Sequence, residues 1–211
     1  MLQAAISSYL LGSIPTAYLL GRWRGKLDIR RCGFQNMGTL NVFKMLGPFW
    51  GVVTLLLDAG KGAAAVLLAR ANGLGEMAVL YCGIMVVAGH NWPVFLGFKG
   101  GKGAATGLGV ILVSQWNDAL LILGLLSGGF LLARNITFAL GLTFAGMPAL
   151  NAVLGRPREL AFSVVLLGMI TLKMRPSWCK LVAATGGRWR LMVKYAVFGI
   201  PKELSEQVSK E

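Results

Sequence analysis

The sequence predicts an all-α, polytopic membrane protein with about seven transmembrane helices, and three observations carry that prediction. Of the 211 residues, 55% are hydrophobic and the mean hydropathy is +0.66, more apolar side chain than a water-soluble core of this size can take in. Apolar runs recur along the chain at lengths suited to crossing or entering a bilayer. The 21 Lys and Arg, against 8 Asp and Glu for a net charge of +13, fall between those runs. A nucleic-acid binder would share the charge but not the hydropathy, so no nucleic-acid partner is expected. Disorder is excluded by a charged fraction of 14%, and collagen by the lack of a Gly-X-Y period among the 29 Gly.

The first run, Leu2 to Gly21, has no Lys or Arg before it and no small-x-small site after it. It is therefore read as a retained helix and not a cleaved signal. The others run from Phe49 to Ala71, Glu76 to Gly89, Ala104 to Ser114, Ala119 to Ala133, Ile136 to Leu154 and Leu160 to Leu172. The segments from Glu76 and Ala104 are too short to span simply, which predicts short or broken middle helices beside a polar cavity.

Cations give the orientation, because basic loops stay cytoplasmic. With the amino terminus outside and the carboxyl terminus inside, 17 of the Lys and Arg lie inside and only Arg70, Arg156 and Arg158 lie outside. Residues 1–175 then form one integral-membrane domain. Residues 176–211 form a basic amphipathic cytoplasmic tail with Trp178, Trp189, Tyr195 and Phe198 among its cations, suited to anionic lipid. Its last stretch, Pro201 to Glu211, is polar and expected to fray.

Several residues exceed what a bare span needs. Asp58 and Lys61 sit three apart inside an apolar run and share a helix face. They form either a structural ion pair between helices or, through Lys61, part of an anion site. The stretch Gly89 to Gly109, GHNWPVFLGFKGGKGAATGLG, sets Gly100, Gly101 and Gly103 around Lys102 just before the helix from Ala104. Backbone amides, helix dipole and ammonium can converge there on a phosphate. The spacing is not that of a Walker A loop, so no nucleotide is expected, and the plainer alternative is that the glycines allow close packing or a re-entrant turn. His90 opens the segment, as a hydrogen-bonded helix-end residue or a substrate contact. The loop Arg30 to Gly47, RRCGFQNMGTLNVFKMLG, carries Asn36, Gly38, Thr39, Asn41 and Lys44. It offers donors to a polyol or phosphate, or it is a cytoplasmic half-helix capped by Asn and Gly. One His, and three Cys without CxxC spacing, predict no metal site and no disulfide framework.

YLLGSIPTAYLLGR near the start, LDAGKG from Leu57 and the Gly89 to Gly109 stretch closely resemble the bacterial membrane acyltransferases that use acyl phosphate to acylate glycerol 3-phosphate. The resemblance is strong from Tyr9 to Gly109 and weaker beyond. It implies a multi-pass protein of the bacterial inner membrane with its site facing the cytoplasm. The implied reaction passes a fatty acyl group from acyl phosphate to the 1-hydroxyl of glycerol 3-phosphate, giving lysophosphatidic acid for phospholipid synthesis. Membrane lipid is the setting, and no cofactor and no obligate protein partner are implied. The substrate-binding set carried by the motifs is Asn36, Gly38, Asn41, Lys44, Lys61, His90, Gly100, Gly101, Lys102 and Gly103, with Lys102 and Thr39 as the candidates for a catalytic part.

The chain departs from the family pattern in two places. Phe34 stands where the first-loop motif has Ser, and Lys44 where it has Arg, which keeps charge but loses the bidentate fork. Near the third motif Arg175 is retained, while Pro176 replaces a His and Cys179 an Asn. An active acyltransferase is the leading reading. The alternatives are a paralogue that is catalytically impaired or takes another acceptor while still binding acyl phosphate or a related lipid precursor, and, as an outsider, a transporter or channel.

Overall fold

The computed structural model describes the backbone of residues 1–198, with the side chains of residues 1–175 and some of those beyond. The stretch Pro201 to Glu211 lies outside the described residues. Every regular element among the described residues is helical: α1 Leu2–Ser13, α2 Thr16–Arg24, α3 Thr39–Leu46, α4 Pro48–Ala71, α5 Glu76–Asn91, α6 Ala104–Ser114, α7 Ala119–Ala133, α8 Ile136–Val153, α9 Pro157–Thr185 and α10 Trp189–Phe198. Among them α4, α5 with the turn after it, α7 with the turn before it, and α8 are long and apolar enough to cross a membrane, and α6 is a shorter apolar helix.

Three expectations need correction. The first run is two helices, because Pro15 has no N–H to donate and forces the preceding Ile14 out of the helical region, to φ −61° and ψ 113°. The segment from Glu76 continues past Gly89 to Asn91, since nothing stops it before Pro93. The last apolar run does not end near Leu172: α9 has 29 residues and passes through Lys173, Arg175 and Pro176. Charge ended the hydropathy signal there, whereas Lys, Met, Arg and Leu all favour the helix. The third-motif positions therefore sit within a helix, not after one.

Residues Met1–Ala119 with Val164–Ile170 form one compact unit, and Leu120–Ser163 with the described residues from Thr171 form another. The first is held by small residues that let backbones touch. A Cβ at Gly12 would overlap the Val86 carbonyl, and one at Gly89 the Tyr9 carbonyl, so α1 and α5 approach reciprocally. Gly62 faces the Thr106 carbonyl and Gly109 the Ala59 carbonyl, which joins α4 to α6 in the same way. Tyr9 Oη also donates to the Trp92 carbonyl at 2.6 Å, tying α1 to the end of α5.

In the second unit Asn135 caps α8 by accepting from the backbone N–H groups of Thr137 (2.9 Å) and Phe138 (3.3 Å). Gly129 lets α7 lie against Ala139, and Asn151 donates to Ser163 Oγ at 3.4 Å between α8 and α9. On α7, Leu120, Leu131 and Leu132 are each at least 76% exposed, side chains suited to lipid.

Candidate active site

The site is assembled in the first unit from a helix break and two loops. Breaking α1 from α2 at Pro15 leaves the Ile14 carbonyl outside any helical hydrogen bond. Lys61 Nζ reaches it from α4 at 3.0 Å. The same ammonium pairs with Asp58 Oδ1 at 3.0 Å, one turn earlier on α4. Asp58 is 1% exposed and Lys61 7%, so neither charge could stay there without such partners. Thr16 Oγ1, just past the break, donates to Asp58 Oδ1 at 2.5 Å, and His90 Nδ1 on α5 lies 3.5 Å from that oxygen. The ion pair expected from sequence is thus present: Lys61 locks α4 to the α1–α2 junction, and it also lines a narrow cavity with Thr16, Met37 and His90.

The first loop is shaped from within. Asn41, 1% exposed on α3, gives its amide hydrogens to the carbonyls of Ile29 (2.8 Å), Cys32 (3.0 Å) and Asn36 (2.9 Å), and its Oδ1 accepts from the Phe34 N–H at 2.7 Å. Gly33, with φ +60°, packs against the same Oδ1. Asn41 therefore folds the loop with its entire amide. Ile29, Met37 and Val42 bury beneath it with Ala17 of α2. Asp28 caps the turn Ile29–Arg31 and binds Arg30 through Nε (3.0 Å) and Nη2 (2.8 Å). That hydrogen-bonded guanidinium holds the Asp28 carboxyl at about 2, below its ordinary 3.8. Arg22 and Arg30 lie over the Tyr18 ring, and Arg24 over Trp23 and Trp50. Thr39 Oγ1, at the start of α3, is buried with no hydrogen-bond partner. Lys44 and Phe34, two of the positions at which the loop departs from the family pattern, touch: the ammonium sits 4.5 Å from the ring centre.

The second loop lies on the end of α5. Gly101 N–H donates to the His90 carbonyl at 3.1 Å. A Cβ at Gly100 would overlap the His90 carbonyl and Pro93, one at Gly101 the His90 Nε2, and one at Gly103 the Asn91 Oδ1. Gly103, at φ +82°, then starts α6, its carbonyl accepting from Gly107 at 2.7 Å. Gly101 and Gly103 are buried and Lys102 between them is half-buried.

The fold thus brings Lys61, His90 and Gly100–Gly103 into one connected group, and Met37 carries the first loop to the same cavity. Asn36, Gly38, Thr39, Asn41 and Lys44 remain together within the first loop. From sequence alone Asp58 is a charge partner of Lys61; in the fold it stands at the centre. Thr16 and Asn91 carry no sequence signal of their part. Thr16 follows a proline and Asn91 a histidine, and neither type is unusual enough in a sequence to mark it.

The glycerol-3-phosphate acyltransferase family model matches residues 2–184. A glycerol-3-phosphate acyltransferase of Synechococcus sp. (strain CC9902) is 41% identical over 181 residues, 85% of this chain and 90% of that one. Glycerol-3-phosphate acyltransferase 5 of Dehalococcoides mccartyi (strain ATCC BAA-2266 / KCTC 15142 / 195) is 50% identical over 120 residues, 57% of this chain and 52% of that one. The crystal structure of PlsY, an integral membrane glycerol 3-phosphate acyltransferase in its glycerol 3-phosphate form, superposes with a TM-score of 0.79 at 33% identity, covering 88% of this chain and 92% of that one. On motifs, on fold and on overall sequence alike, the chain belongs to the glycerol-3-phosphate acyltransferase family.

Proposed function

We propose that the protein transfers a fatty acyl group from an acyl phosphate to the 1-hydroxyl of glycerol 3-phosphate, yielding lysophosphatidic acid and phosphate for phospholipid synthesis. The observation that carries this reading, within the family assignment, is the glycine-rich loop seated on α5, with Lys102 between two buried glycines at the start of α6. An acyl phosphate is a mixed anhydride and needs no further activation. The acceptor oxygen attacks the acyl carbon, a tetrahedral oxyanion forms, and the bond from that carbon to the phosphate oxygen breaks. The proton lost by the hydroxyl ends on the released phosphate. Holding two phosphates and the oxyanion together is the protein's main task.

Within this reading Gly100, Gly101, Lys102 and Gly103 hold a phosphate, with Lys102 neutralising its charge. Asn36, Gly38, Thr39 and Lys44 offer the acceptor side, and Asn41 serves by keeping their loop in shape. Lys61 and His90 line the adjoining cavity. The protein is proposed as a multi-pass enzyme of a bacterial inner membrane with about seven spans, amino terminus outside, carboxyl terminus inside and the site facing the cytoplasm. The 17 to 3 distribution of cations supports that orientation.

Purified protein in detergent, given palmitoyl phosphate and glycerol 3-phosphate, should release phosphate and form lysophosphatidic acid by mass spectrometry. Release no faster than without protein, from a folded and monodisperse sample, refutes the activity. Orientation is read by labelling Cys32 and Cys179 with an impermeant maleimide. Both should react only in inside-out vesicles, and labelling of either in right-side-out vesicles overturns the topology.

A further inference from the structure

We infer that Asp58 and His90 are positioning residues for the glycine-rich loop: together they fix the end of α5 as the seat on which the two glycines flanking Lys102 lie. The inference rests on the proposal that this loop holds a phosphate, and it assigns parts to residues that the motif alone leaves undefined.

Four observations converge. Asp58 Oδ1 gathers contacts from three elements: Thr16 after the helix break at 2.5 Å, Lys61 on its own helix at 3.0 Å, and His90 Nδ1 on α5 at 3.5 Å. A carboxylate there holds the imidazole by one nitrogen and turns the other away from it. That other nitrogen, Nε2, occupies the place a Cβ of Gly101 would need, and the His90 carbonyl accepts the Gly101 N–H at 3.1 Å. The next residue, Asn91, is fully buried with neither amide atom hydrogen-bonded, and its Oδ1 occupies the place a Cβ of Gly103 would need.

Two successive side chains of α5 thus seat two glycines, one on each side of Lys102. A pair serving only to lock α4 would be complete with Asp58 and Lys61, and would not require the ring of His90 against the loop. With its underside filled, the loop has one place to lie, and Lys102 is carried with it. Binding of phosphate then needs little reorganisation of the backbone. Moving Asp58 or His90 lets the loop shift, which costs phosphate affinity before it costs the chemical step.

The test is a double-mutant cycle in detergent with acyl phosphate and glycerol 3-phosphate, reading KM for each, kcat and the melting temperature. Gly101→Ala puts a methyl group into the imidazole and should raise KM for the phosphate held by this loop about tenfold, with kcat changed less than about threefold. In a His90→Ala background the methyl has room, so adding Gly101→Ala should change KM by less than about twofold. Asp58→Asn, which keeps the volume and removes the charge, should raise the same KM and should not add to His90→Ala. If His90→Ala does not give folded protein, His90→Gln takes its place, since a flexible amide can swing aside. Additive effects of Gly101→Ala and either His90 variant overturn the inference. Lys102→Ala separates the two levels: an unchanged KM for both substrates removes the cradle itself, whereas a raised KM alongside an additive cycle removes only the positioning part.

Discussion

The two loops of the candidate site are built on opposite principles. Gly100–Gly103 takes its shape from outside, because its glycines lie against the carbonyls, ring and amide of a helix end. The first loop takes its shape from inside, from one buried amide, Asn41, that gathers three carbonyls and one N–H. In the first design each position carries the shape, and a single methyl group disturbs it. In the second the hub carries the shape, and positions that only face outward are free to change. That is where the sequence has changed: Phe34 is 59% exposed and meets the hub only through its backbone N–H, so its side chain can differ from a hydroxyl one and leave the hub intact.

The largest effect expected from this contrast is at Gly100. Its Cβ would meet the His90 carbonyl and, at 2.6 Å, that of Asn91, both backbone of α5. Gly100→Ala should lower kcat/KM by about a hundredfold with the protein still folded. Gly38→Ala is its counterpart in the first loop. There the Cβ would meet the end of the Asn36 side chain at 2.9 Å, which can turn aside, and φ is −117°, open to any residue. Its effect should stay within about threefold. Equal losses from the two, measured by phosphate release, would erase the distinction between the loops.

Next in size is Asn41→Ala. It removes the partner of the part-buried Phe34 N–H and of the Ile29 and Asn36 carbonyls, while the Cys32 carbonyl keeps the Gln35 N–H at 3.0 Å, at a cost of about 2 kcal/mol. The loss should be local. Trypsin should begin to cut at Arg30 and Arg31, and the acceptor KM should rise about tenfold, while the donor KM stays near its starting value. Resistance to trypsin equal to that of the parent protein would mean that the loop is held by something other than Asn41.

What the sequence disclosed and what it hid divide along the same physical line. The apolar runs disclosed the helices, because burial in lipid selects composition over long stretches. They misplaced ends where another rule decided: Pro15 broke α1 from α2 inside an apolar run, and α9 continued through charges that ended the hydropathy signal. The glycine-rich loop was legible because close backbone approach admits only one residue type. Asp58 was visible as a charge in an apolar run, but its centrality was not, since Thr16 and His90 reach it across 42 and 32 positions of chain that only folding brings together. Asn41 looked like a ligand, because a buried amide that organises carbonyls and one that binds a polyol use the same atoms.

The smallest effect concerns Phe34 and Lys44, and it decides whether the changed positions of the first loop are drift or a working pair. The ammonium lies 4.5 Å from the ring centre with both side chains exposed, an arrangement of modest strength in water. If the ring holds Lys44 toward the acceptor phosphate, Phe34→Leu should raise the acceptor KM about threefold at low salt, and Phe34→Tyr should leave it unchanged. Phe34→Ser should behave as Leu does, since a hydroxyl restores no hold on the ammonium, whereas Phe34→Ser with Lys44→Arg should recover the parent value, because a guanidinium needs no ring to direct its paired donors. The effect should fade as salt is raised, as it would for any exposed cation. A Phe34→Leu protein with the parent KM at low salt would mark the ring as idle.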